Sequence, residues 1–321
     1  MRLRRVGQSM GHRMGHRMRQ RGIALITALL VLALAVVLAA ALTQDGAMSL
    51  RRTENLLHHA QAKIYLQGAE DWARVVLARD KHDVDHLGEA WALPLPSVPV
   101  EGGEISGNLI DLQGRFNLNA LLKTDNTLDP IMQQRLRCIL DKAGNESPEA
   151  ALDALADWQD ADSEVRPQGA EDEVYRGRPR PYRAGNQSLQ AQKELLLIQG
   201  FTAEQVRALR SWVAALPPSA SLNLNTAPLE VLSCLDESGD ASLWETFVAE
   251  REKTPLKDVN ELLGKPPFEG RVNTQGLGVN SKVYLLEAEA QVGRTRLRRY
   301  SMLLVDEQGL VRVWSRFQET L

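Results

Sequence analysis

The feature that most constrains this chain is an uninterrupted apolar run from Ile23 to Leu42, directly behind a basic segment. These twenty uncharged residues can span a bilayer as a helix, because a helix rises about 1.5 Å per residue and the hydrocarbon core is about 30 Å thick. Residues 1–22 carry seven arginines and no acidic residue, which favours keeping them in the cytoplasm. The sequence therefore predicts a single membrane-spanning helix with the rest of the chain on the far side of the membrane.

The junction at the start of the apolar run predicts how the leader is processed. An ordinary secretory signal is cut after its apolar region, at small residues. Here Gly22 stands instead between Arg21 and Ile23, at the near end of the run. This layout resembles a prepilin-type signal, in which a prepilin peptidase cuts between Gly22 and Ile23 and the new amino terminus is methylated. The alternative is a plain signal anchor that is not cut at Gly22.

The helix is expected to continue beyond the membrane. No proline occurs between Leu50 and Pro94, and apolar or small residues recur at steps of three and four. This spacing predicts a helix from Ile23 to about Asp80, with one stripe that packs on a sheet. The members of the predicted stripe are Leu57, Ala60, Ile64, Gly68, Trp72 and Val75.

Strand-like segments flank a long middle section of the chain. Glu104 to Asn119 and Tyr284 to Phe317 are rich in β-forming residues, and the second segment is divided by turns at Gly293 and at residues 306–309. The section between them has helical periodicity, with capping or breaking residues at the segment ends. The predicted helices cover residues 130–143, 148–159, 188–200, 203–216, 227–235, 242–251 and 256–263.

Together these elements predict an α+β chain with a type IV pilin-like fold, a long N-terminal helix plus an antiparallel sheet, and a large inserted α-helical domain. The predicted boundaries are 1–22 for the leader, 23–42 for the transmembrane and packing part of the helix, 43–119 for the rest of the pilin helix and the first strands, 120–280 for the inserted helical domain, and 281–321 for the C-terminal antiparallel strands.

A dense acidic segment in the insertion predicts a calcium site. Seven carboxylates fall within 17 residues, in a stretch broken by prolines and glycines. Calcium takes six to eight oxygen ligands on a flexible backbone, but an EF-hand is not expected because Val165 stands where its loop requires glycine. The alternative is a solvated loop whose acids pair with neighbouring arginines. The expected ligands are Asp157, Asp160, Asp162, Glu171 and Asp172, with Asn186 as a further candidate.

Charge and cysteine content bound the remaining chemistry. The chain has a net charge of −3, and loss of the arginine-rich leader makes it more acidic, which argues against nucleic acid as the main partner. Its two cysteines, Cys138 and Cys234, can close one disulfide in an oxidising periplasm. The alternative is a pair of buried free thiols.

An ordered series of short motifs follows the prepilin-type leader. The motifs are Asp111 to Asn119, Asp157 to Asp162, Gly169 to Asp172, Pro181 to Arg183 with Asn186, Glu194-Leu195, and Leu224 to Pro228. In this order they resemble the general secretion pathway protein K (GspK) family, the large minor pseudopilins of type II secretion systems.

The resemblance implies a structural, non-enzymatic subunit at the tip of the pseudopilus, which caps and initiates the fibre used to export folded exoproteins across the outer membrane. It implies minor pseudopilins I and J, the pseudopilus and prepilin peptidase as partners, and one or two bound calcium ions. It also implies a single-pass protein of the bacterial inner membrane with its C-terminal domain in the periplasm. Most pilin-like proteins carry Glu at the fifth position of the mature helix, whereas this chain has Thr27, which suits a subunit with no neighbour above it.

Parts of the sequence are compatible with two other functions. The segment Ser221 to Leu232, followed by Val248 to Arg251 and Val259 to Leu262, also resembles the helix-hairpin-helix of membrane-anchored DNA-uptake proteins. The turn Asp236 to Asp240, however, places three acids around one glycine and would repel phosphate. A metal hydrolase using His82 and His86 with Asp83 and Asp85 is the least favoured, since no catalytic motif accompanies them.

Overall fold

The computed structural model describes residues 15–81 and 83–317, and describes side chains from residue 23 onward. Most of the predicted leader, residues 1–14, therefore lies outside the described residues, as does His82. The helices are α1 Gly15–Ala78, α2 Pro130–Lys142, α3 Pro148–Gln159, α4 Asp172–Arg176, α5 Ala203–Ala208, α6 Leu229–Leu232, α7 Ala241–Arg251 and α8 Val259–Leu263. The strands are β1 Leu95–Val100, β2 Gly103–Asp111, β3 Phe116–Asn117, β4 Val213–Ala214, β5 Leu222–Asn223, β6 Leu277–Gly278, β7 Val283–Val292, β8 Thr295–Val305 and β9 Val311–Phe317.

The chain divides into two units, residues 1–60 and residues 61–321. In the first unit the described residues belong to helix α1, and the large apolar side chains of its predicted membrane segment are exposed. Among the described residues, α1 is the one helix long and apolar enough to cross a membrane. The apolar helix thus fits the predicted anchor.

In the second unit, the last part of α1 packs against a five-stranded antiparallel sheet of order β1-β2-β7-β8-β9. The buried face of this part of the helix is made mainly of small residues, which let the backbone approach the sheet closely. The buried apolar residues are Ala62, Leu66, Ala69, Ala73 and Leu77.

The stripe predicted from the sequence was therefore wrong. Ile64 is 68% exposed, Leu57 and Val75 are also exposed, and of the predicted stripe residues only Trp72 packs against the sheet core, partly buried. The segment is helical as the periodicity predicts, but the side with the larger apolar residues is not the buried one. Burial follows the alanine-rich side instead.

The C-terminal strands formed largely as predicted. β7 and β8 pair from Val283↔Leu304 to Val292↔Thr295, and the tight turn between them uses Gly293 at a φ of 54°. Such a positive φ is easily reached only by glycine. Strand β1 was not predicted, because it contains two prolines and lies at the edge of the sheet, where a missing backbone donor is tolerated.

A helical region occupies the chain between β2 and β7 and has its own apolar core, which includes Leu136, Leu155, Leu232 and Trp244. Helices α2, α3 and α7 lie close to their predicted positions. The helix predicted over 188–200 was wrong, since a 3₁₀ turn covers only Gln192–Leu197. The helix predicted over 203–216 ends early, with a 3₁₀ turn to Ser211, and strand β4 follows.

Candidate metal centre

The acidic segment connects α3 to α4 and lies against the helical core. Asp157 is in the last turn of α3, Asp160 follows the end of that helix, and Glu171 immediately precedes α4. The chain passes close to Asp157 on its way between the helices. A Cβ at Gly169 would lie 1.9 Å from Asp157 Oδ2, so any larger residue there would have to displace this buried carboxylate.

Three of the five predicted ligands converge on one point. Asp160, Asp162 and Glu171 each offer a carboxylate oxygen, and these oxygens lie within 4.8 Å of one another. Asp160 and Glu171 are buried, with 1% and 4% of their surface exposed, whereas Asp162 faces solvent. The group is thus a partly enclosed site with one open side.

Several carboxylate oxygens of this site have no hydrogen-bond partner. Asp160 Oδ1 and both oxygens of Glu171 are buried and unpartnered among the described residues. Burial, together with the nearby charges of Asp157 and Asp160, raises the pKa of Glu171 to about 7. Burial also raises the pKa of Asp160, although its pairing with Arg166 acts in the opposite direction.

The other two predicted ligands lie beside the group and are held by arginines. Asp157 accepts from Arg166 Nη1 at 2.6 Å and from the Arg166 backbone N–H at 3.2 Å. Asp172 accepts from the Ala184 backbone N–H at 2.9 Å and pairs with Arg176 at 2.5 Å. Their oxygens are not part of the converging set, so their role as ligands stays a prediction.

Two more residues complete the surroundings. Asn186 adopts a positive φ of 46° and its amide donates to the backbone carbonyl of Asp162 at 3.2 Å, which fixes the open side of the site. Arg166 also pairs with Asp160 Oδ2 and donates from Nη2 to the carbonyl of Asn126 at 3.0 Å. In the sequence Arg166 was one arginine among several near the acids, and only the fold singles it out.

The donor set fits a hard divalent cation. Unsatisfied, buried carboxylate oxygens are costly unless a cation offsets them. The converging ligands are all oxygens, with no histidine or cysteine, and this chemistry suits calcium or magnesium rather than zinc. The residues present therefore fit the calcium ion that the sequence predicted.

A second acidic group, Asp80, Asp85 and Glu89, also brings carboxylate oxygens within 4.8 Å. These acids are used for structure. Glu89 Oε2 accepts from the His86 backbone and from Trp91 Nε1, both at 2.8 Å, and Asp85 accepts from Tyr284 Oη at 2.6 Å. The metal hydrolase alternative would also need His82, which lies outside the described residues.

The remaining predicted site residues are placed as follows. Cys138, in α2, and Cys234, just after α6, are joined by a disulfide with their Cα atoms 5.6 Å apart. Gly22 and Ile23 lie within α1, and Ile23 is exposed. Thr27 donates its hydroxyl to the carbonyl of Ala24 at 3.0 Å, so its polar group is satisfied within its own helix.

The hairpin-like segment is held together by internal contacts. The side-chain amide of Asn225 donates from Nδ2 to the carbonyl of Leu256 and accepts at Oδ1 from the Leu256 backbone N–H. Buried Arg251 donates to the carbonyls of Leu224 and Ala227. Asp236 is buried and accepts from Ser238, Gly239 and Trp244, which fixes the turn from inside. The acids that the turn exposes are Glu237 and Asp240, and their charge would repel a phosphate. This arrangement supports the structural interpretation of the segment.

The chain is similar to a known protein family over most of its length. A family profile described as type II secretion system (T2SS), protein K, matches residues 114–218, and a second profile of the same description matches residues 222–280. Type II secretion system protein K of Pectobacterium carotovorum is 34% identical over 288 residues, covering 84% of this chain and 88% of the relative. The protein of the same name from Pseudomonas aeruginosa is 34% identical over 282 residues, covering 84% of each chain.

A solved structure is also similar. The match is a chain from the crystal structure of the GspK-GspI-GspJ complex of the enterotoxigenic Escherichia coli type 2 secretion system. It superposes with a TM-score of 0.76 at 25% sequence identity, and the match covers 84% of this chain and 99% of the other.

Proposed function

Because this chain belongs to the type II secretion system protein K family and is a minor pseudopilin of that system, we propose that it caps the tip of the pseudopilus and initiates its assembly. The fibre that it starts serves the export of folded exoproteins across the outer membrane. The observation that carries the proposal is the similarity of the described fold, insertion included, to the chain solved in complex with two companion proteins. The protein acts as a structural subunit.

The proposed partners are the minor pseudopilins I and J, the companions of the related chain in its complex. The proposed location is the inner membrane, with a single pass through the apolar part of α1 and the larger unit in the periplasm. The length and apolar composition of this helix support the anchor. Prepilin peptidase would cut between Gly22 and Ile23 and the new amino terminus would be methylated, so the helix remains on the mature subunit.

The position at the tip is supported by Thr27. A carboxylate at that depth would need a neighbouring amine to offset its burial in a low-dielectric bundle. Thr27 carries no charge, and its hydroxyl is already bonded to Ala24. The subunit therefore requires no charged partner above it, as expected of a cap.

We further propose that calcium binds the converging group. Asp160, Asp162 and Glu171 would hold the ion, with Asp157 and Asp172 fixing the flanking backbone. A bound divalent cation supplies positive charge that offsets the buried carboxylates, and thereby ties the end of α3 to the start of α4. A chain of this family would hold at most two such ions.

The experiment that tests the proposed function is reconstitution with the partners. The full-length chain in detergent is mixed with minor pseudopilins I and J, and complex formation is measured by size-exclusion chromatography with light scattering. A stable ternary complex is expected. Absence of a complex, together with tight binding of double-stranded DNA at physiological salt, would favour the DNA-uptake alternative instead.

A further inference from the structure

Arg166 occupies an unusual position in the acidic site. Its guanidinium lies between two buried carboxylates. Nη1 donates to Asp157 Oδ1 at 2.6 Å and also to Asp160 Oδ2. Its other terminal nitrogen donates to the carbonyl of Asn126, a residue in the left-handed region at a φ of 62°. The Arg166 side chain is only 18% exposed, so these contacts are shielded from solvent.

This arrangement divides the acidic groups into two sets. One oxygen of Asp160 is bound to Arg166, while its other oxygen and both oxygens of Glu171 have no partner among the described residues. The arginine thus pairs with Asp157 and with one oxygen of Asp160, and leaves the other Asp160 oxygen and both Glu171 oxygens for a metal ion. It also keeps one oxygen of Asp160 from turning toward that ion.

A fixed positive charge at this place has two opposite effects. It stabilises the metal-free loop, because it pairs with carboxylates that would otherwise repel each other. It also weakens the binding of a second cation nearby, because like charges repel strongly where water is partly excluded. Both effects arise from the same guanidinium, so they should disappear together.

We propose that Arg166 is a resident counter-cation of the acidic site, which keeps the loop folded without metal and sets the calcium affinity low enough for reversible binding. This inference rests on the calcium site proposed above. It assigns Arg166 a positioning role, since the residue acts through Asp157 and Asp160 and does not itself contact the ion.

The test uses the full-length chain in detergent, with calcium as the probe. Thermal unfolding is followed by tryptophan fluorescence in chelator and in calcium, and the dissociation constant is measured by isothermal titration calorimetry. The variants are Arg166→Gln, which removes the charge, and Arg166→Lys, whose compact ammonium keeps the charge but cannot hold both carboxylates and the Asn126 carbonyl. The matched control is Arg176→Gln, which removes an equal charge from the nearby pair with Asp172.

For Arg166→Gln we expect a lower melting temperature in chelator and, at the same time, calcium binding at least about tenfold tighter. Arg166→Lys should fall between this variant and the parent in both measurements, and Arg176→Gln should stay close to the parent. If Arg166→Gln folds only in calcium, that is the extreme form of the expected result. If Arg166→Gln does not fold in either condition, the inference is tested with Arg166→Lys instead, by its melting temperature in chelator and its calcium dissociation constant.

Two results would overturn the inference, and they can be told apart. Calcium binding that is unchanged or weaker in Arg166→Gln would give Arg166 a purely structural role and leave the calcium site standing. Absence of calcium binding by the parent itself would remove both the proposed site and the inference that rests on it.

Discussion

The buried carboxylate of Glu171 should make the stability of the metal-free protein depend on pH. Its pKa is raised to about 7 in the folded chain, against 4.5 for an ordinary glutamate. Below pH 4.5 the carboxyl group is protonated in both the folded and the unfolded chain. The protein is then more stable than at higher pH, where the buried group must ionise. As pH rises from 4.5 to 7 the unfolded chain loses its proton first, and folding stability falls.

The size of the effect follows from the shift. Each pKa unit corresponds to about 1.4 kcal/mol, so the folded chain in chelator should lose up to about 3 kcal/mol between pH 4.5 and pH 8 through this one group. In a domain of this size that corresponds to a melting temperature lower by several degrees. Calcium should restore the loss, because a cation favours the ionised form and a ligand bound only to the folded state stabilises it.

The assay compares Glu171→Gln with the parent by thermal unfolding at pH 5 and pH 8. In chelator at pH 8 the variant should melt above the parent, and the difference should shrink toward pH 5. In calcium at pH 8 the order should reverse, because the variant lacks a ligand. The control is Glu173→Gln, which neutralises an exposed acid in the same segment. A variant that follows the parent at both pH values in chelator would refute the reasoning.

Three other predictions concern different parts of the molecule. Mass spectrometry of the membrane-extracted protein should show a cut after Gly22, and an intact leader would contradict it. Replacing Cys138 by Ser should lower the free energy of unfolding by roughly 4 to 5 kcal/mol, because the disulfide with Cys234 closes a loop with a sequence separation of 96 and restricts the unfolded chain. Urea unfolding that shows the variant to be as stable as the unreduced parent would contradict this. Glu70→Ala should cost roughly 1 to 3 kcal/mol in denaturant unfolding at pH 7, because Glu70 is fully buried and accepts from buried Ser301 as well as pairing with half-exposed Arg316. Glu289→Ala, at a more exposed pair with Arg298, should cost under about 1 kcal/mol, and equal losses would show that the burial of Glu70 is irrelevant.

The sequence was most informative where one pattern ran uninterrupted. The apolar run of α1 and the alternation in β7 and β8 depend on local periodicity and on turn residues such as Gly293, so they were predicted with nearly correct bounds. The buried face of α1 was not, because it depends on which side chains let the helix approach the sheet. Small alanines do this better than Ile64, although Ile64 is the more hydrophobic.

The acidic site was predicted in outline for a similar reason. The density of carboxylates is visible in the sequence, but their division into free and paired oxygens is a tertiary property. Asp157 and Asp160 are equivalent by sequence, yet Arg166 engages both oxygens of the first through its side chain and backbone, and only one oxygen of the second. Spacing alone cannot distinguish them.

The pairing of β2 with β7 has a consequence for the order in which the molecule forms. These neighbouring strands come from distant parts of the chain, with Gly103 opposite Val292 and Asp111 opposite Tyr284. Ribosomal synthesis delivers β7 only after the whole helical region, and closing so long a loop is entropically costly. The helical region carries its own cross-link, Cys138–Cys234, and can become ordered first. Among the early residues, Trp91 and Ile105 and Leu109 of β2 contribute part of the core over the alanine face of α1, and the strands β7 to β9 contribute the rest. The last segment to be made therefore completes the cover of the first helix.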